Sequence, residues 1–216
     1  MKDIAIYGAG GFGREVACLL RKVNEKENLW NLVGFYDDGK KIGDSNKYGI
    51  VLGGINELNS ITKPLSIVIA IGSPKTVKRI ADNINSPLVQ FPNIFSPDII
   101  YLNKNDLHIG KGNIICSCCF VSCNVVIGDF NTINVYTTLG HDAILGSYNS
   151  IMPAVHISGE VQIGNSNFIG VSSVILQQLK IGDNTTIGAS SLIGRNTKDG
   201  MTYIGNPAKA FVGYND

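Results

Sequence analysis

The sequence predicts a small α/β domain of Rossmann-like type followed by an all-β parallel β-helix. Three observations carry this. From Ile109 to Ile193 every sixth residue is a medium-sized aliphatic, fifteen positions without a slip. A period of 18 lies on top of it: Ile109, Ile127, Leu145, Ile163 and Ile181 are each followed by glycine and, four residues on, by Asn or Thr. The first ninety or so residues instead alternate strand-like with helix-like stretches.

A hexapeptide period marks a parallel β-helix, in which three hexads close one triangular coil. About five coils are expected to stack. The aliphatic of each hexad points inward, joined by a small residue four positions later: Cys119, Val125, Thr137, Ala143, Val155, Ser173 and Ser191 fit. Stacking buries these side chains in ladders and pairs each strand with the one a coil above, so stability comes from neighbours. The recurring Gly and Asn are assigned to the corners, as residues that reach unusual backbone angles with little strain. An ordinary β-sandwich would show such periodicity only by chance, and fifteen uninterrupted matches argue against it.

At the start of the chain, Ile4-Ala5-Ile6-Tyr7 reads as a buried strand running into Gly8-Ala9-Gly10-Gly11-Phe12-Gly13. A helix follows with Val16, Leu19, Leu20 and Val23 on one face. A second strand, Leu32 to Tyr36, ends at Asp37-Asp38; a third, Ile67 to Ile71, ends at Gly72. Ser73-Pro74 caps a helix with Val77, Ile80, Ala81 and Ile84 on its apolar face. Strands alternating with helices imply a parallel sheet with any ligand outside the strands' carboxyl ends. Gly8 to Phe12, Asp37-Asp38 and Gly72 all fall on that edge. Glycines let the backbone approach a phosphate, and the helix N-terminus offers it free N–H groups. The acidic pair sits where NAD enzymes hold a ribose hydroxyl, but ninety residues are too few for two mononucleotide halves. One nucleotide carrying a sugar through a pyrophosphate fits better; a tight turn with no ligand is the plain alternative.

The expected domains are therefore 1–90, nucleotide-sugar binding; 91–108, a connector and first irregular coil; 109–195, the β-helix; and 196–216, a C-terminal cap. Pro87, Pro92 and Pro97 stop any long helix in the connector. The coil end needs a cap because it exposes unpaired strand edges.

Eighteen Lys and Arg against seventeen Asp and Glu give a net charge of +1. That leaves no basic face for nucleic acid and no polybasic membrane patch. No apolar run of about 18 residues suggests membrane insertion, and the N-terminus enters a strand without a signal-peptide core. A cytoplasmic protein is expected. Four of five cysteines cluster at Cys116, Cys118, Cys119 and Cys123. Their spacing is not that of paired metal knuckles, and Cys116 and Cys119 fall on small-residue positions, where a thiol packs as a small hydrophobe. No metal is expected.

The chemistry is expected in the coils. His141 is the third residue of its hexad, facing outward, and is followed by Asp142, a carboxylate able to fix its tautomer. One coil forward is Gly159, whose backbone should lie about 5 Å above. The repeat thus sets a base beside a bare main-chain amide able to receive an oxyanion. A polar surface residue is the plain alternative for His141. Cys123 lies one coil before it. His108, placed just outside the coils, and His156 receive no role.

The hexads, Gly140-His141-Asp142, Ser158-Gly159 and the closing Gly205-Asn206-Pro207-Ala208-Lys209 resemble the hexapeptide-repeat acyltransferases. Together with Gly8-Ala9-Gly10-Gly11 and Gly34-Phe35-Tyr36-Asp37-Asp38, they look like the branch containing bacterial sialic acid O-acetyltransferases and nucleotide-sugar 4-amino N-acetyltransferases. That resemblance implies a left-handed β-helix, a homotrimer with active sites between subunits, acetyl-CoA along the coils and a sugar nucleotide in the N-terminal domain. By the same resemblance His141 is the general base, Asp142 its acidic partner (often Glu in relatives) and Gly159 the donor at the thioester. Val171 and Ala189 match backbone contacts to CoA. Ser150 stands where some relatives carry a second histidine near the cofactor. Gly10, Gly11, Phe12, Asp37, Asp38 and Gly72 match nucleotide-sugar contacts. The expected reaction is acetyl transfer to the 4-amino group of a UDP-linked amino-deoxy sugar in bacterial glycan synthesis. The alternatives are O-acetylation of sialic acid or a related sugar, and a non-catalytic nucleotide-sugar-binding protein. A carbonic anhydrase on the same repeat needs three converging histidine ligands, which nothing in the sequence brings together.

Overall fold

The computed structural model describes residues 1–211; the last five residues of the expected C-terminal cap lie outside the described residues. The chain forms two compact units, residues 1–97 with 111–113, and residues 98–110 with 114 onward.

The first unit contains β1 (Lys2–Tyr7), α1 (Gly11–Glu27), β2 (Trp30–Tyr36), β3 (Ser45–Asn46), β4 (Gly49–Gly53), α2 (Ile55–Asn59), β5 (Leu65–Ile69), α3 (Pro74–Asn83) and β6 (Val89–Gln90). Its sheet runs β3-β4-β2-β1-β5-β6, parallel except for the β3–β4 hairpin. Ile4, Ala5 and Ile6 of β1 are fully buried, as a central strand covered on both faces must be. Val16, Ala17 and Leu20 of α1 are likewise buried. Ser73 caps α3 by accepting from Thr76 N–H, with Pro74 in the first turn. Gly8 has φ +112, and a Cβ at Gly13 would run into the Gly8 carbonyl, so these two glycines serve the strand–loop–helix turn itself.

The second unit is a left-handed parallel β-helix. Its three faces are ladders of two-residue strands. One runs through Ile114–Ile115, Thr132–Ile133, Ser150–Ile151, Phe168–Ile169 and Thr186–Ile187; a second through Phe120–Val121, Thr138–Leu139, His156–Ile157, Val174–Ile175 and Leu192–Ile193. The third begins at His108–Ile109 and continues through Val126–Ile127, Ile144–Leu145, Gln162–Ile163 and Lys180–Ile181. Successive rungs pair in parallel at a spacing of 18, as in Thr138 with His156 and Ile144 with Gln162. Ile115, Ile133, Ile151, Ile169 and Ile187 are fully buried, and so are Cys119, Val125, Thr137, Ala143, Val155 and Ser173. Ile100–Tyr101 pairs with Phe120–Val121 as an irregular first rung, two residues longer than the period. His108 pairs with Val126 inside the stack, so its expected place outside the coils is corrected. Thr202–Gly205 extends the first ladder, and Ala208–Phe211 closes it as an antiparallel edge.

The corner residues are not the ones expected. Every sixth residue from Gly112 to Ser190 has positive φ, and the set includes Phe130, Tyr136, Tyr148, Ala154 and Gln178. The recurring glycines at 110, 128, 146, 164 and 182 are not among them. They are required for a different reason. A Cβ at Gly146 would lie 2.6 Å from the Gly164 carbonyl oxygen, and one at Gly128 would lie 2.7 Å from that of Gly146. The asparagine column is internal as well. Asn131 Oδ1 accepts from Asn149 N–H and Nδ2, and Asn149 Oδ1 accepts from Asn167 N–H, all within 3.0 Å.

Gly146→Ala should therefore cost about 2 kcal/mol or more by overpacking. Ala154→Gly, at φ +56, should cost little or stabilise slightly, because glycine's freedom offsets the left-handed strain. Urea unfolding of both variants checks this; equal losses would show that close approach is not what selects glycine.

Candidate active site

The 18-residue register builds the site. Residues 123, 141 and 159 form one column, and the backbone confirms it: Glu160 N–H donates to the His141 carbonyl (2.8 Å), Asp142 N–H to that of Cys123 (3.0 Å). His141 is half-exposed. Its Nδ1 lies 2.7 Å from Asp142 Oδ2, while Asn124 Nδ2 donates to Asp142 Oδ1 at 3.1 Å. These bonds, that from His141 first, hold the Asp142 carboxyl below the usual carboxylate range. An ionised carboxylate only accepts, so Nδ1 carries the proton and the neutral ring presents a lone pair at Nε2.

That nitrogen is aimed at Gly159. A Cβ built on Gly159 would run into His141 Nε2, so the ring occupies the space a side chain would take. The Gly159 N–H donates to no group among the described residues. Its φ is not in the left-handed range, so backbone conformation does not demand glycine here.

Val171 and Ala189 follow one another in a neighbouring column. Both are exposed, and neither N–H is bonded among the described residues. Ser150 differs: it is 2 % exposed on a strand between Thr132 and Phe168. Its side chain is buried in the coil stack, unlike those of Val171 and Ala189. Beyond the coils a cavity of about 450 Å³ is lined by Arg195, Asn196, Tyr203 and Lys209 among others. Arg195 stands three coils beyond His141 in the same column. Sequence reasoning missed both cations, although the count of 18 pointed to Arg195.

The cysteines carry no such geometry. All five are free; Cys116 and Cys119 are buried, and burial pushes the Cys119 thiol up to about 11. His156 Nδ1 instead meets Thr138 Oγ1 at 3.0 Å. Among the described residues no group of three or more His, Cys, Asp or Glu is arranged to hold a metal.

In the first unit, Gly10, Gly11 and Gly72 have ordinary φ, and a Cβ on any of them would meet nothing within 4 Å. They face open space at the sheet's carboxyl edge, beside Phe12. The acidic pair also bonds the loops around it. Asp37 accepts from Ala9 N–H (2.8 Å) and Gly39 N–H (2.9 Å); Asp38 accepts from Tyr7 Oη (2.7 Å) and Ile55 N–H (2.8 Å). All four carboxylate oxygens thus hold the loops in place. Burial, with Asp38 beside it, raises the Tyr7 hydroxyl pKa, so it stays a donor. A cleft of about 250 Å³ at Ala9 includes Arg14 and Lys40, two cations the sequence did not single out.

The PglD N-terminal domain family matches residues 3–84, and the bacterial transferase hexapeptide family matches residues 160–200. Among solved structures, the acetyltransferase domain of PglB from Neisseria gonorrhoeae FA1090 is 30% identical. The match covers 98% of this chain and 100% of that one, with a TM-score of 0.87. The chain belongs to the hexapeptide-repeat acetyltransferases with a PglD-type N-terminal domain. This acetyltransferase is also similar to that PglB domain in complex with acetyl coenzyme A (31% identity, 97% and 99% coverage, TM-score 0.86). WeeI from Acinetobacter baumannii AYE is 27% identical over 98% of this chain and 100% of its own, with a TM-score of 0.87. PerB from Caulobacter crescentus, solved with CoA and GDP-perosamine, shares the fold at 22% identity, 98% coverage of each chain and a TM-score of 0.84. No curated protein matches the sequence. Among the described residues no helix is long and apolar enough to cross a membrane.

Because the imidazole fills the space above Gly159, Gly159→Ala should displace it and lower acetyl-transfer turnover by about 100-fold, with an unchanged melting temperature. Wild-type turnover in that variant would show that the ring position is not what the transferase needs.

Proposed function

We propose that the protein transfers the acetyl group of acetyl-CoA to a sugar, foremost to the 4-amino group of a UDP-linked amino-deoxy sugar in bacterial glycan synthesis. His141 serves as general base. The observation that carries this is one constellation: a histidine fixed by an ionised carboxylate, its free Nε2 set against a side-chain-less residue with an unused N–H.

The acceptor nitrogen attacks the thioester carbonyl while Nε2 takes its proton, and a C–N bond forms. The Gly159 N–H faces the oxyanion that develops. Collapse breaks the C–S bond, and the imidazolium returns the proton to the departing CoA sulfur. No acyl-enzyme is needed. Val171 and Ala189 offer N–H groups along the coils to the pantetheine amides, and Arg195 and Lys209 suit CoA phosphates. A homotrimer would complete each site from a neighbouring coil stack. The similar PglB domain with acetyl-CoA bound supports the cofactor.

In the first unit, the open space at Gly10, Gly11 and Gly72, next to Phe12 and Arg14, supports a sugar nucleotide with its pyrophosphate at the start of α1. Asp37 and Asp38 act there by shaping the loops. The same residues would serve a cytoplasmic enzyme fed with activated sugars.

His141→Ala should lower kcat by at least about 100-fold, measured as CoA release against a panel of UDP-, dTDP-, GDP- and CMP-linked amino sugars and free sialic acid. Wild-type turnover in that variant would overturn the base assignment. Turnover only with sialic acid would move the acceptor from nitrogen to oxygen. Asp37→Ala, which releases Ala9 and Gly39, should raise KM for the sugar nucleotide by about tenfold, on the order of one lost charge-assisted bond. An effect confined to acetyl-CoA kinetics would count against nucleotide binding at this loop.

A further inference from the structure

Four residues at one corner of the coils carry polar side chains in consecutive rungs: Asn124, Asp142, Glu160 and Gln178. Each has left-handed backbone, with φ between +55 and +62. Their side chains pair in a fixed order. Asn124 Nδ2 donates upward to Asp142 Oδ1 at 3.1 Å, and Gln178 Nε2 donates downward to Glu160 Oε1 at 3.2 Å. The two acids stand one rung apart, about 5 Å by strand spacing, where like charges repel. Each is drawn by an amide away from the other.

We infer that Asn124 is a positioning residue for the transferase: by occupying Asp142 Oδ1 it turns Oδ2 onto His141 Nδ1 and thereby aims Nε2 at Gly159. This rests on His141 being the base. Asn124 touches neither the imidazole nor any reacting atom and acts only through Asp142. Asp142 is short. A carboxylate that swings toward solvent loses the imidazole, and one that swings toward Glu160 meets a like charge. The Asn124 amide removes the first freedom, and the Gln178 amide, by holding Glu160 back, removes the second. A neutral donor is required at residue 124, since a third carboxylate in the column would repel Asp142.

The titratable residues adjoining His141 in the coils are Asp142, bonded to its ring, Cys123 one coil below and Glu160, whose N–H donates to the His141 carbonyl. A base must be neutral to act, and added negative charge in this column favours the imidazolium, so it should move the acid limb of kcat/KM to higher pH.

The test uses the intact enzyme with acetyl-CoA and the best acceptor from the panel. Asn124→Gly removes the amide at a left-handed corner that glycine accepts without strain, so the fold is retained. It should lower kcat three- to tenfold, the range of one lost hydrogen bond, with both KM values within twofold. Asn124→Asp, of the same shape but without the donor, should shift the acid limb of kcat/KM upward by about 0.5 pH unit. A merely structural role would lower the melting temperature and leave the pH profile in place. If His141→Ala is inactive while both Asn124 variants keep wild-type kcat and pH profile, this inference is overturned and the base assignment stands. If His141→Ala retains turnover, the base assignment fails and takes the inference with it.

Discussion

Every feature of the coil unit depends on one constraint, the backbone ladder that ties residue n to residue n plus 18. Thr138 paired with His156 and Ile144 paired with Gln162 are two rungs of it, the latter held by the Ile144 N–H donating to the Val161 carbonyl at 2.9 Å. Two-residue strands are too short to be stable alone, so each is held by the rung below and the rung above. The ladder is strong enough to override residue preference at the corners. A left-handed conformation costs roughly 1–2 kcal/mol for an ordinary residue, and Phe130, Tyr136 and Gln178 adopt it all the same. Burying one aliphatic per hexad contributes about 1.5–3 kcal/mol, comparable to or larger than the corner strain, before the ladder hydrogen bonds are counted.

The same constraint makes chemistry out of a list of residues. A fixed vertical spacing places whatever stands at 141 beneath whatever stands at 159, with little freedom to slip, because a slipped register would drive the inward aliphatics outward. The His141 column therefore needs no long-range folding event to assemble. It needs only side chains of the right kind at positions eighteen apart. The price is that orientation within the column must come from side-chain bonds, and Asp142 with Asn124 beneath it supplies them.

The sequence was most legible where structure follows a local count. The inward positions, the ladders and the His141–Gly159 column could be read by counting, because burial repeats with the period. Glycine was harder. A glycine can be selected by backbone angle or by the approach of another chain segment, and the letter does not say which; at 110, 128 and 146 it is the approach of the next coil. The acidic pair was ambiguous for a related reason. A carboxylate beside a ligand loop can hold the ligand or hold the loop, and Asp37 and Asp38 hold the loop. Ser150 was read from a neighbour's pattern, and its burial could not be counted from the period, since outward residues on the other two faces remain partly or fully exposed.

Glycine stands in four kinds of setting in this chain, and separating them distinguishes what the fold requires from what it does not. At Gly146 the missing Cβ makes room for backbone, and at Gly8 it permits a positive φ; both are explained within the fold. At Gly159 the room is taken by an imidazole, so the fold gains nothing and the site gains a reach to a free amide. At Gly10, Gly11 and Gly72 the room is taken by nothing. Glycine loses more backbone entropy on folding than any other residue, and at these three neither a positive φ nor a close approach within the chain selects it, although Gly10 is also the N-cap of α1. The nucleotide-sugar seat proposed for the first unit uses this open edge and does not depend on the acidic pair.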